Sequence, residues 1–369
     1  MVVKLALAIP AVLVAALVAA RAPSDERAKA AAGRDHPAFN APDQFAWELF
    51  IKINQPAGGL DVLWETWAED IDTFPRVPDA AKPPAWPGGK KQPKELTPSR
   101  QLELLRLQDE PPPKGGQFVP QIAATGGQEV RRNRAAFDFI VGQKLWHRDG
   151  IAAAVKAGKP VDFPTDAIEI KAEWKLIAEA DKPRFHWNTD VAGKVHGLIA
   201  LHVSTKDVPG WFWATFEHAE NPNRGKELGT HDAFGVEPPD ATDGKVSAAL
   251  EKMFKAAKMA ATWRNYRLLG TQTAFTDTTG RPVHLGNSEI EGRFMKTSSC
   301  MTCHAKAAAD ATGAFLPVFR SRNPLEGDIG TPKPEWYFNA DGTRKTLQMD
   351  FVWAFTAARP LPPPPPVKK

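Results

Sequence analysis

Ala167-Ile-Glu-Ile-Lys-Ala-Glu-Trp-Lys-Leu-Ile177 alternates apolar and charged residues with a period of two. That is the pattern of a β-strand buried on one face and polar on the other. Two later stretches read as strands as well. Val195-His-Gly-Leu-Ile-Ala-Leu-His-Val203 is rich in apolar and β-branched residues, and Trp211-Phe-Trp-Ala-Thr-Phe-Glu-His218 in aromatic ones. Pro209-Gly210 between them predicts a hairpin. Together the three segments predict the centre of an antiparallel sheet.

Helices are expected on either side. Asn40-Ala-Pro-Asp43 has the cap and early proline of a helix start, and Phe45, Leu49, Phe50 and Ile53 form one apolar face. Asn54-Gln-Pro-Ala-Gly-Gly59 ends it, and Val62-Leu-Trp-Glu-Thr-Trp67 reads as a strand. Residues 132–146 and 247–263 have helical spacing of their apolar positions, and short helices are expected over 287–296 and 351–358. The fold class is therefore α+β. An N-terminal domain over 36–274 carries the antiparallel sheet and flanking helices; a mostly helical module is expected over 275–359. Residues 71–128 are rich in proline and read as a long surface excursion with one short helix near Gln101 to Leu107. Residues 360–369 form a Pro-rich tail, and no internal repeat is visible.

The chain begins with Lys4, an apolar run from Leu5 to Val18, and small residues at Ala19, Ala20 and Ala22. This is the pattern of a secretory signal peptide over 1–22, cut after Ala20 or Ala22. The run is shorter than the roughly 20 residues of a spanning helix, so a membrane association is expected only if the signal stays uncleaved. The expected location is the periplasm. A formal net charge of +4 is too weak a bias to argue for nucleic acid or anionic lipid.

The chain has only two cysteines, and both lie in Cys300-Met-Thr-Cys-His304. This matches the attachment signature of a c-type haem. Two thiols three residues apart each add to one vinyl group on the edge of a haem, and the next residue offers its imidazole to the iron. A zinc site needs four ligands and only three are local. A thioredoxin-like pair would follow a strand. The expected cofactor is one covalent haem c, bound through Cys300 and Cys303 with His304 as proximal iron ligand.

The sixth iron position decides what the iron does. Met349 lies 45 residues after His304, just before the last expected helix. Its alternative role is core packing. His202 is the second candidate. By strict alternation His196, Leu198, Ala200, His202 and Ser204 share one strand face, which would look onto the haem. An open or water-bound position is the third possibility. Glu169, Lys171 and Glu173 share a face that is either solvated or a charged wall of the haem pocket. Glu217 and His218 are candidate acid–base groups.

Residues 275–360 resemble a small cytochrome c domain around the pentapeptide. More broadly, Trp64-Glu-Thr-Trp67, Phe163-Pro164, Glu169-Ile-Lys-Ala-Glu-Trp174, Ala214-Thr-Phe-Glu-His218 and Ser298-Ser-Cys-Met-Thr-Cys-His-Ala305 resemble a group of bacterial periplasmic cytochrome c family proteins. The resemblance implies a mono-haem protein and one evolutionary unit over 36–360. It carries over no catalytic residue beyond the haem attachment. The first functional expectation is electron transfer with a redox partner protein or a small-molecule donor or acceptor. The alternatives are a haem enzyme of peroxidase or oxygenase type, with an open or displaceable distal site, and a haem sensor.

Overall fold

A computed structural model describes residues 35–87, 126–190 and 192–363. The expected signal peptide, the helix expected near Gln101 to Leu107 and the last six residues of the tail lie outside them. Among the described residues no helix is long and apolar enough to cross a membrane.

The centre is a seven-stranded antiparallel sheet: β1 (Ala68–Glu69), β2 (Gly126–Arg132), β3 (Ile168–Leu176), β4 (Trp187–Thr189), β5 (Val195–Thr205), β6 (Phe212–His218) and β7 (Tyr266–Gln272). The order is β7-β6-β5-β3-β2-β1, with β4 paired to β5. Register sets the faces. Ile170 faces Val203 and Ala172 faces Leu201 across β3 and β5, while Val203 faces Ala214 and Leu201 faces Phe216 across β5 and β6. This apolar face packs on α1 (Pro42–Ile53) and α4 (Ala248–Ala256) in a first core. Trp47 and Phe50 of α1 lie on Phe216 with ring centroids 5.1 and 4.5 Å apart. Burial of each such ring stabilises the fold by about 2–3 kcal/mol.

The alternation is broken once. Glu173 pairs with Ala200 and Trp174 with Leu198, so Ile199 is an extra residue in β5. The bulge flips the register. His196 and Leu198 therefore leave the face of His202: Leu198 joins the first core and His196 bonds Asp190 at 2.9 Å. The five residues expected on one face are thus three, Ala200, His202 and Ser204.

The opposite sheet face is covered by the C-terminal chain. The expected mostly helical module over 275–359 is not there. Among the described residues the helices of seven or more residues are α1, α2 (Arg134–Gly142), α3 (Arg148–Lys156) and α4, all before residue 275. After it comes one α-helix, α5 (Cys300–Ala305), among short strand pairs, 3-10 turns and hairpins. Turn chemistry is the reason. Asp277-x-x-Gly280 and Asp310-x-x-Gly313 close tight hairpins, each with its Asp carboxylate accepting from the backbone two and four residues on. Asn339-x-x-Gly342 closes a third. The glycines take φ of +82°, +77° and +80°, the left-handed conformation these turns require.

Other expected elements shorten for local reasons. Residues 287–296 give only a 3-10 turn at Met295–Thr297, because Asn287 and Ser288 turn their polar groups to the sheet. Residues 351–358 give a 3-10 turn at Trp353–Ala357. The strand expected over 62–67 is a 3-10 turn at Leu63–Thr66, with the Glu65 carboxylate accepting from Val62 N at 2.7 Å. A second core joins both halves of the chain: Phe163, Trp211 and Trp213 pack with Met301, Met349 and Phe355.

Candidate functional site

The haem motif is the whole of helix α5. Ser299 caps it, accepting from Thr302 N. The helix is tied down at several points. Gln272 at the end of β7 accepts from Met301 N at 3.0 Å and donates to Ser299 Oγ at 2.9 Å. Thr302 Oγ1 donates to the Gly330 carbonyl at 2.7 Å, and Trp353 Nε1 to the Cys303 carbonyl at 2.9 Å. The hairpin at Pro209-Gly210 admits the helix closely. A Cβ on Gly210 would meet Met301 Cε at 2.3 Å, the far end of a flexible side chain that would have to move aside.

The exposed side of α5 faces a cleft whose floor is the polar sheet face. The cleft holds about 940 Å³ of empty space, open solvent at its mouth included. Cys300, Cys303 and His304 line it together with Glu169, Lys171, His202 and Ser204 of the sheet and Glu291 of the covering chain. Trp213, Phe294, Phe319 and Trp353 supply apolar walls. Of the charged face of β3, Glu169 and Lys171 line the pocket, and Glu173 is not among the lining residues. Burial pushes the Glu173 carboxyl up to about 7, against hydrogen bonding from Gln128 and the charge of Lys171.

The two thiols are free and bond to different segments: Cys300 Sγ to the Leu285 carbonyl at 3.6 Å, Cys303 Sγ to the Asp328 carbonyl at 3.4 Å. Burial raises both thiol pKa values. A Cβ on Gly327 would meet Cys303 Sγ at 3.2 Å and the Thr297 carbonyl at 2.5 Å, so the chain passes this thiol with no room for a side chain.

His304 is oriented by the backbone. Its Nδ1 lies 2.7 Å from the Phe351 carbonyl oxygen. A carbonyl only accepts, so Nδ1 carries the proton and Nε2 keeps its lone pair, the state of a metal-ligating imidazole. Burial pushes its pKa down to about 4, outweighing the Phe351 hydrogen bond. Trp213 lies against the ring with centroids 4.4 Å apart. The Phe351 carbonyl is presented by a strained turn, with Asp350 at φ +48° and Phe351 at φ +67°. Asp350 is pinned there. Lys206 Nζ lies 2.6 Å from its Oδ1, and Phe163 N donates to its Oδ2 at 2.7 Å.

Two thiols on one face of a short helix and an imidazole held as a neutral ligand, all three lining one cleft, are the donor set that a covalent haem would use. The other candidates are placed as follows. Met349 is fully buried in the second core and is not among the cleft-lining residues. His202 lines the cleft, its Nε2 3.1 Å from Glu291 Oε2. Burial alone would raise the Glu291 pKa, but the His202 imidazole bonded to it, the charge of Lys171 and the bond from Asn287 N hold it below the ordinary range. His218 lies on the other sheet face, bonded to the Arg184 carbonyl at 3.0 Å and stacked on Phe185. Glu217 faces the covering chain, where it accepts from Ser288 N and Oγ and from Asn221. Sequence reasoning missed Glu291 and the Phe351 carbonyl; neither belongs to a motif, and only the fold brings them to the cleft.

Among the described residues no group of three or more His, Cys, Asp and Glu is arranged to hold a metal ion. Compared with protein-family models, curated proteins and solved structures, the chain finds no match.

Proposed function

We propose that this chain is an exported, periplasmic mono-haem c-type cytochrome that exchanges electrons with a redox partner protein or a small-molecule donor or acceptor. Cys300 and Cys303 hold the haem covalently and His304 is its proximal iron ligand. The observation that carries the reading is the C-x-x-C-H helix whose Cys300, Cys303 and His304 line one cleft, with His304 Nδ1 bonded to the Phe351 carbonyl. When bound, the haem supplies a one-electron couple at its iron. The chain's own residues hold the proximal imidazole in one tautomer and would wall the group with Trp213, Phe319 and Trp353.

A haem enzyme of peroxidase or oxygenase type is the second reading, and one observation favours it. The cleft wall carries a bonded His202–Glu291 pair, and no methionine is among the residues lining it.

The test is an optical redox titration of the full chain, exported from a host that matures c-type cytochromes. The expected result is a single reversible one-electron transition in the haem bands. A chain without haem bands, or a transition that does not reverse, overturns the electron-transfer reading.

A further inference from the structure

We infer that the His202–Glu291 pair is an acid–base dyad that takes the proton from a weak-acid ligand entering the cleft, hydrogen peroxide being the type. The inference rests on the haem reading above and deepens its second form.

Four observations carry it. His202 projects from the sheet face that floors the cleft, between Lys171 of β3 and Thr215 of β6 in register. Its side chain is only 15% exposed, so it is held and not waving in solvent. Its Nε2 is bonded to the Glu291 carboxylate at 3.1 Å, and a carboxylate only accepts, so Nε2 carries a proton and Nδ1 has the lone pair. Glu291 is itself fixed, accepting from Asn287 N at 2.9 Å, while Asn287 Nδ2 donates to Thr215 Oγ1 at 2.9 Å and to the Phe216 carbonyl.

The arrangement chooses between the two roles open to His202. An imidazole that ligates iron from a strand reaches it with Nε2, the tip of the ring. Here the tip is taken by Glu291. The other ring nitrogen, Nδ1, sits next to Cβ and has no hydrogen-bond partner among the described residues, which leaves it for a small ligand. So His202 acts on a ligand and is not one. The proton balance is simple. HX gives its proton to His202, X⁻ remains in the cleft, and the imidazolium charge is balanced by Glu291. Lys171, directly across from His202, favours the anion so formed.

Glu291 is then a positioning residue, since it acts through His202. Carboxylate–imidazole pairs of this kind set the tautomer of the base. Removal of a general base slows proton transfer by about 10²–10⁴-fold.

The test uses hydrogen cyanide and carbon monoxide as probes, since the first must lose a proton to bind ferric haem and the second carries none. Association of cyanide with the oxidised full chain, and of carbon monoxide with the reduced chain, is followed by stopped-flow spectroscopy. In His202→Leu, cyanide association is expected to slow about 100-fold or more. In Glu291→Gln it is expected to slow to a smaller degree. Carbon monoxide association changes by no more than a few-fold in either variant. A wild-type spectrum with two histidine ligands, with cyanide binding faster in His202→Leu, overturns the inference. So does cyanide association that neither substitution slows. Both of these outcomes leave covalent haem in place and the first reading standing. A wild-type chain with no covalent haem overturns both.

Discussion

Asp350 and Lys206 set the geometry of His304 without touching the cleft. Asp350 and Phe351 both hold positive φ, at a cost of about 1–2 kcal/mol each for non-glycine residues. The Lys206 ammonium and the Phe163 N–H keep the Asp350 carboxylate in that turn. Removing one partner of such a buried pair leaves an uncompensated charge and typically costs about 3–5 kcal/mol. Lys206→Met is therefore expected to lower unfolding stability by that amount in chemical denaturation; a loss under about 1 kcal/mol would contradict the role. Glu173 gives a pH effect of definite sign. Its folded pKa of about 7 lies above the ordinary 4.5, through burial first and the nearby Glu289 and Glu291 charges, opposed by Gln128 and Lys171. The folded state then binds the proton more tightly than the unfolded chain, so this group's stabilisation is complete below pH 4.5 and is lost as pH rises towards 7. The loss is at most about 3 kcal/mol. Glu173→Gln is expected to flatten the stability profile across that window and to be the more stable protein above pH 7. An unchanged profile would place the carboxylate in water. At this scale the motif was legible, because its five residues are contiguous, and Cys300, Cys303 and His304 line one cleft. Glu291, Lys206 and Asp350 were not, because nothing local marks a residue whose partner is 89 or 144 positions away.

The strands of the central sheet could be read because a half-buried strand leaves a period-two signature. The bulge at Ile199 could not, since His196 to Ser204 keeps its apparent alternation through it. The covering chain is not mostly helical, although the resemblance to a small cytochrome c domain implies helices there, because its turns break it into short strand pairs and 3-10 turns. The signal was present: Asp277-Thr-Thr-Gly280 and Asp310-Ala-Thr-Gly313 each place an Asx turn before a glycine that takes positive φ. These two glycines separate conformation from packing. A Cβ on Gly280 meets nothing, whereas one on Gly313 meets Arg148 Cγ at 2.7 Å and the Arg148 carbonyl at 2.9 Å. Gly280→Ala is expected to cost about 1 kcal/mol from backbone strain alone. Gly313→Ala adds a clash against α3 and is expected to cost about 2–4 kcal/mol. Thermal denaturation of the two variants side by side checks this, and equal losses would argue that the hairpin at 310–314 does not dock on α3.

At the scale of the whole molecule, one sheet separates two cores. Its apolar face builds the first with α1 and α4. Its polar face, lined by Glu169, Lys171 and His202, becomes the floor of a cleft when the C-terminal chain closes over it. That division explains the size of the protein: the residues before the motif supply a wall, a floor and the Trp213 ring against His304. It also explains why the site was only half legible, since its second half is made by chain segments that meet across the sheet. Everything turns on whether Cys300 and Cys303 carry the haem. The most direct measurement is the intact mass of the chain, produced in a host that matures c-type cytochromes, under denaturing conditions, for the wild type, Cys300→Ser, Cys303→Ser and the double variant. The expected result is a wild-type mass raised by one haem, with the addition lost entirely in the double variant. A wild-type chain at its bare polypeptide mass, or only two hydrogens lighter through a Cys300–Cys303 disulfide, would contradict the account.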